Sequence, residues 1–281
     1  LQFFFRNEIF GNKIDLDQNR LTGPFRDDER VVGSYLSRFV FLGFGYLLYK
    51  FSENKYYKII PFIFLLFVYI SIFLSGERMA FILTSFGILF LIFFNYKSLK
   101  YFIYLLLGVI FLGSLIVYNN DLVKNRMINT TFEVIGFDIG DGKVSKSEDS
   151  FIDSHYGAHY ITAFAIFKDN KYFGSGPKTF RKVCSNDKYS KLSSKNIFQR
   201  CSTHPHNYYM QIISETGLFG IMFFGLSAIL LISFCIIRLN LFNPLHNGVF
   251  ISLLLFLWPF QSTGSIFNNW LSAMNFFSIG I

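Results

Sequence analysis

From residue 218 to residue 237 the chain runs for about twenty residues without a charged side chain. At 1.5 Å per residue, a helix of that length is about 30 Å long, the thickness of a bilayer's hydrocarbon core. Directly before it stands Thr203-His204-Pro205-His206-Asn207-Tyr208-Tyr209-Met210-Gln211, with two histidines and an asparagine close together. Glu215, Gly217 and Gly220 follow. An ionisable cluster is thus placed at the mouth of a membrane helix, where polar groups are costly unless they serve something. Asn207 is a candidate N-cap for the segment that follows. Glu215-Thr216-Gly217 reads as the end of a short interfacial helix, with Gly217 as the C′ residue.

Further apolar stretches lie at about 32–49, 57–74, 79–94, 101–118, 249–259 with its flanks, and 266–281. The 281 residues are 52% hydrophobic and only 16% charged, more apolar than a soluble single-core domain. The expected fold class is all-α, a polytopic membrane helix bundle of about seven transmembrane helices with one large periplasmic loop. Its parts are an N-terminal membrane part, 1–118, with about four helices, the large loop, 119–207, and a C-terminal membrane part, 208–281, with about three. The start, Leu1-Gln2-Phe3-Phe4-Phe5, has neither an initiator Met nor the charged region and cleavage site of a signal peptide. This leads us to expect an N-terminal truncation, with earlier membrane helices missing.

The net charge of +8 first reflects topology and lipid headgroups. No nucleic-acid-binding motif is visible, so membrane lipids and not nucleic acid are the expected partners. Lys50, Lys55 and Lys58, then Lys97 and Lys100, then Arg238 and His246 occupy three connections that fall on one side by alternation. By the positive-inside rule that side is cytoplasmic. The other side holds residues 1–30, the Ser75-Gly76-Glu77-Arg78 turn, the large loop and 261–265.

The loop is more than a linker. Apolar residues at helical spacing over 161–167 predict a helix ended by Asp169-Asn170. Gly174-Ser175-Gly176-Pro177 is a turn, and 140–150 is charged and expected to be mobile. Cys184 and Cys201 share the loop, while Cys235 lies in an apolar segment. In an oxidising compartment Cys184 and Cys201 are disulfide candidates, worth roughly 3 kcal/mol by chain entropy; two free thiols are the alternative.

Several loop and turn residues are candidates for chemistry. Arg78, between two apolar segments, either snorkels to headgroups or faces a cavity and grips phosphate bidentately. Glu77 is a neighbour with which it can pair. His206, near a helix N-terminus, is biased towards the neutral imidazole that a general base requires. Its other readings are a structural loop histidine or, with His204, half of a metal site, for which H-x-H alone is a weak signal. Glu215 either orients His206 or an arginine, or stays wet at the interface. Lys178 and Arg181 follow the Gly-Ser-Gly-Pro turn, where backbone N–H groups and cations together suit an anion; the alternative is a basic solvated loop. Arg126 has the same two readings. His155 and His159, at i and i+4, share a helical face, either for substrate or as plain helix surface.

These residues, in this order, resemble the bacterial O-antigen ligase/polymerase family. The resemblance covers most of the chain. It rests on Thr-Gly-Pro-Phe-Arg-Asp at 22–27, Ser-Gly-Glu-Arg at 75–78, Phe-Gly-Ser-Gly-Pro-Lys-Thr-Phe-Arg at 173–181, the stretch 203–220, and Ser-Thr-Gly-Ser-Ile-Phe-Asn-Asn-Trp at 262–270. It implies an inner-membrane glycosyltransferase of lipopolysaccharide biosynthesis, active on the periplasmic face. The implied donor is an undecaprenyl-diphosphate-linked glycan, and the acceptor is lipid A–core or another glycan. The family's loop histidine matches His206 and one of its arginines matches Arg78. A second family arginine falls near His155, where this chain has histidine; Arg181 is the first substitute and Arg126 the second. His206, Arg78 and Arg181 are therefore the expected catalytic residues, and Arg126, Lys178, His155, His159, His204 and Glu215 the expected substrate-binding ones. No Asp-rich metal motif is visible and no cofactor is expected. The competing readings are a surface-polysaccharide polymerase and, from a different class, a polysaccharide or lipid transporter.

Overall fold

The computed structural model describes residues 21, 31–51, 53, 56–95, 98–135, 137–140, 143–146, 151–268 and 273. The described elements are helical apart from one hairpin, in which β1 (Phe137–Gly140) runs antiparallel to β2 (Lys143–Lys146). The chain divides into two compact units. The first comprises the described residues up to Thr131 together with Cys235–Phe256, and the second those of Phe132–Phe234 and from Leu257 onward.

The first unit holds α1 (Val32–Lys50), α2 (Ile60–Leu74), α3 (Arg78–Phe94) and α4 (Leu99–Asn119). After these come the short α5 (Asp121–Lys124), a π-helical turn over Asn125–Asn129, and the start of α6 (Thr130–Ile135). Its last element is α10 (Pro244–Phe256). Helix α1 packs against α2, α3 and α10. The core is aromatic: the Phe44 ring meets that of Phe62 edge-on at 5.3 Å, and Phe62 meets Phe102 at 5.1 Å. Backbones touch where α10 crosses α1, since a Cβ on Gly248 would lie 2.4 Å from the Phe41 carbonyl oxygen. Such close approach through small residues is how membrane helices gain packing without a hydrophobic drive between them.

Local start signals set the helix ends. Pro61 stands in the first turn of α2, where its missing N–H costs nothing. Asn243 Oδ1 accepts from Leu245 N–H at 2.9 Å, with Pro244 opening α10. Helix α10 therefore begins five residues before the apolar stretch expected at 249–259, because the Asn-Pro start lies ahead of the apolar run.

The second unit is built on α7 (His155–Asp169), the one-turn α8 (Phe180–Val183), and α9 (Tyr208–Arg238) as far as Phe234. Ser154 caps α7 by accepting from Gly157 N–H at 3.1 Å, so the helix starts six residues before the expected 161–167. Ala163, Ile166, Phe180, Cys184 and Tyr189 make a small core. Cys184 and Cys201 form a disulfide with Cα atoms 5.3 Å apart.

Helices α4 and α9 are long and apolar enough to cross a membrane, and α2, α3 and α10 are shorter apolar helices. Leu106 and Phe111 on α4, and Phe223 and Ile229 on α9, remain largely exposed. Apolar faces of that extent call for lipid around them. The segment 266–281 lies mostly outside the described residues, and 140–150 is described only at 140 and 143–146.

Candidate active site

Four of the chain's five histidines meet in the second unit. His155 and His159 come from the first turns of α7, with ring centroids 6.3 Å apart. His204 and His206 come from the loop before α9, with ring centroids 4.4 Å apart. The pairs join through His159 and His206, whose rings stack at 5.3 Å and 20°. Tyr156 stands perpendicular to His206 at 5.8 Å.

The backbone turns sharply to place His206. Its φ of 57° lies in the left-handed region, uncommon for a residue with a Cβ and typical of functional sites. Asn207 then caps α9, accepting from Met210 N–H at 3.1 Å. The segment 257–266 holds this turn from the other side. Thr263 N–H donates to the His206 carbonyl at 2.9 Å, and the Asn207 amide donates to Pro259 and Gln261 carbonyls at 2.8 and 3.2 Å.

Hydrogen bonds assign two of the tautomers. His204 Nε2 faces the Thr263 carbonyl at 3.0 Å, so it carries the proton, and Nδ1 accepts from the Thr203 hydroxyl at 2.8 Å. His159 Nε2 likewise donates to the Gln199 carbonyl at 3.0 Å, which leaves its Nδ1 buried without a partner. Among the described residues neither ring nitrogen of His206 is in a hydrogen bond. Burial, and then the neighbouring histidines, push His206 down to about 3 and His159 down to about 4. His204 is lowered by burial and by the nearby Arg181, against the Thr263 bond that favours its charged form. His159, His204 and His206 are therefore neutral at neutral pH, and burial acts in the same direction as the helix-dipole effect expected from sequence. Among the described residues no group of three or more His, Cys, Asp or Glu is arranged to hold a metal ion.

Glu215 is neither wet nor turned to a histidine. It is fully buried, and its carboxylate accepts from the N–H of Lys178 at 3.0 Å, the N–H of Phe180 at 2.9 Å, and the Gln211 amide at 3.0 Å. This corrects both expectations for Glu215 and changes the reading of the 174–181 turn. Four further amides there are also committed: Gly174 to Asn170, Ser175 to Ser214, Gly176 to Glu215 and Thr179 to Gly176. The turn already encloses an anion, its own glutamate. The side chains of Lys178 and Arg181 are exposed, and the share of the expected anion site given to these committed amides does not hold.

In the first unit, Arg78 and Arg126 meet at one turn. Arg126 Nε donates to the Gly76 carbonyl at 3.3 Å, and an Arg78 guanidinium nitrogen donates to the Thr130 carbonyl at 2.7 Å. Arg126 lies in the π-helical turn, a feature frequent at functional sites. Glu77 is buried and grips the start of α1, accepting from Gly33 N–H at 2.6 Å and Ser34 N–H at 3.1 Å. It supplies the cap that Val31 cannot.

Sequence reasoning missed Tyr156, Gln211 and Thr263 as parts of this arrangement. The clue to Thr263 was the 262–270 stretch, within which Thr263 bonds the backbone of His206 and the ring of His204. A family model described as O-antigen ligase matches residues 60–225, more than half of the chain. The match takes in Arg78, Arg126, all four clustered histidines and Glu215. No curated protein and no solved structure matches the chain.

Proposed function

Because this chain belongs to the O-antigen ligase family, we propose that it moves a glycan from undecaprenyl diphosphate to a sugar hydroxyl of lipid A–core. The bond from the sugar's anomeric carbon to the diphosphate breaks, and a bond from that carbon to the acceptor oxygen forms. The acceptor proton passes to His206, and undecaprenyl diphosphate leaves as the anion. Arg78, with Arg126 beside its turn, and Arg181 are assigned to the charge that develops on the leaving diphosphate. Lys178 and His155 are assigned to glycan and phosphate binding, while His159 and His204 position His206. Glu215 holds the loop that carries Lys178 and Arg181.

The observation that carries the reading is the state of His206. It is a neutral imidazole with no hydrogen bond to its ring among the described residues, held in a constrained turn by its neighbours. A base must have a lone pair free for the proton it removes. Its depressed pKa makes it weak in the free enzyme, and an arriving diphosphate raises it. The Cys184–Cys201 disulfide supports an oxidising compartment for the loop, hence the periplasmic face of a bacterial inner membrane.

Proteoliposomes holding the full-length protein test the reaction. Lipid-linked glycan is offered with EDTA, and with lipid A–core or a lipid-linked repeat as separate acceptors. Product on lipid A–core is expected. Growth of the chain on undecaprenyl diphosphate instead makes the protein a polymerase, and no product with either acceptor overturns glycan transfer.

A further inference from the structure

We propose that residues 171–173 form an aromatic anchor in the headgroup layer of the bilayer, latched to the first turn of the α9 span. The inference stands apart from the glycan chemistry, because it concerns where this part of the loop lies and not what it catalyses.

The latch begins at Gly217, whose φ of 68° and ψ of −159° break α9. A new helical run starts at Leu218 and reaches Arg238, about 30 Å, one hydrocarbon thickness. The first amides of such a run have no partners of their own and are costly in a membrane. Here Leu218 N–H donates to the Lys171 carbonyl at 2.8 Å, and Phe219 N–H to the Tyr172 carbonyl at 3.2 Å. The backbones interlock at this point. A Cβ on Gly217 would lie 2.5 Å from the Tyr172 carbonyl, and one on Gly174 would lie 2.3 Å from the Glu215 carbonyl carbon. Both glycines have positive φ, so neither contact is open to another residue without strain. The depth of 171–173 is therefore fixed to the depth at which the span begins.

The side chains suit that depth. Tyr172 and Phe173 are 63% and 77% exposed, and the Phe173 ring stacks on Phe219 at 5.1 Å. Leu218 and Phe219 are exposed as well, so the apolar surface of 172–173 continues into that of the span. Lys168 and Lys171 flank it. Aromatic rings with lysines at the end of a span are the composition of a membrane interface, and the lysines meet anionic headgroups. The lipid surface is thus the partner that fits, since it must already surround Leu218 and Phe219. The anchor also holds the 174–181 turn, with Lys178 and Arg181, close to headgroup level.

The test is a Phe173→Trp variant of the full-length protein in proteoliposomes whose lipids carry bromine at different acyl depths. Parent protein is subtracted to remove Trp258 and Trp270. The expected result is blue-shifted emission, quenched most strongly by the shallowest bromines. Emission as in water without quenching, or strongest quenching by the deepest bromines, overturns the anchor. Tyr172→Trp gives the same reading if the first variant fails to fold, which an intact Cys184–Cys201 disulfide checks.

Discussion

The imidazole rings of His159 and His206 lie stacked, centroids 5.3 Å apart and planes within 20°, although the two residues are more than forty positions apart in the chain. His159 is tied to the Gln199 carbonyl, so one ring is fixed and the other rests on it. Burial is the first cause that lowers the pKa of each; the neighbouring histidines add to it, His155 and His204 acting on His159, and His204, His159 and His155 on His206.

Acid stability follows from this pair. The folded values, about 3 for His206 and about 4 for His159, lie below the ordinary 6.5. Between those limits the unfolded chain binds protons that the folded one refuses. Stability is therefore full above about pH 6.5 and falls as pH drops towards the folded values. The Tm of purified protein should decrease from about pH 7.5 to about pH 5. A His159→Asn, His206→Asn double variant should show a shallower decrease. A Tm that holds steady or rises on acidification contradicts the neutral cluster.

Glu215 carries a different prediction. Removing its carboxylate leaves the Lys178 and Phe180 amides and the Gln211 side chain without their acceptor. Glu215→Ala should cost about 2–4 kcal/mol, seen as a lower Tm. Glu215→Gln keeps the shape and one acceptor oxygen, and should recover part of the loss. A stable Glu215→Ala protein would show that the 174–181 turn does not depend on this clamp.

Arg78 and Arg126 should separate in their kinetics. Arg78→Lys loses the planar fork that matches phosphate, and transfer should fall by about tenfold to a hundredfold with a higher KM for the lipid-linked donor. Arg126→Lys, which touches the turn through Gly76, should lose less. If Arg78→Lys transfers as well as parent protein, Arg78 is a headgroup-facing residue.

Much of this was legible in the sequence, and the rest was not for identifiable reasons. The span after Gly217 and the capping role of Asn207 follow from local chemistry, a charge-free run and a short polar side chain at its head. The pairing of His155 with His159 follows from helical spacing, and that of His204 with His206 from adjacency. Their meeting does not, because it depends on how α7 docks beside the loop. Glu215 escaped for the same reason: the amides it holds lie 35 and 37 residues away, and a glutamate beside an interface reads from sequence as solvated. The apolar spacing over 161–167 marks only the later part of α7; its start at His155, to which the His155 and His159 spacing points, is set by the Ser154 cap.

The most direct test of the account is the transfer rate of His206→Ala against parent protein in proteoliposomes. Protein level and the Cys184–Cys201 disulfide must be equal in both. A positioned general base contributes about 10²–10⁴-fold, so the variant should fall by at least about a hundredfold with donor KM little changed. A loss of less than about tenfold would contradict His206 as the base and leave it a structural part of the histidine cluster.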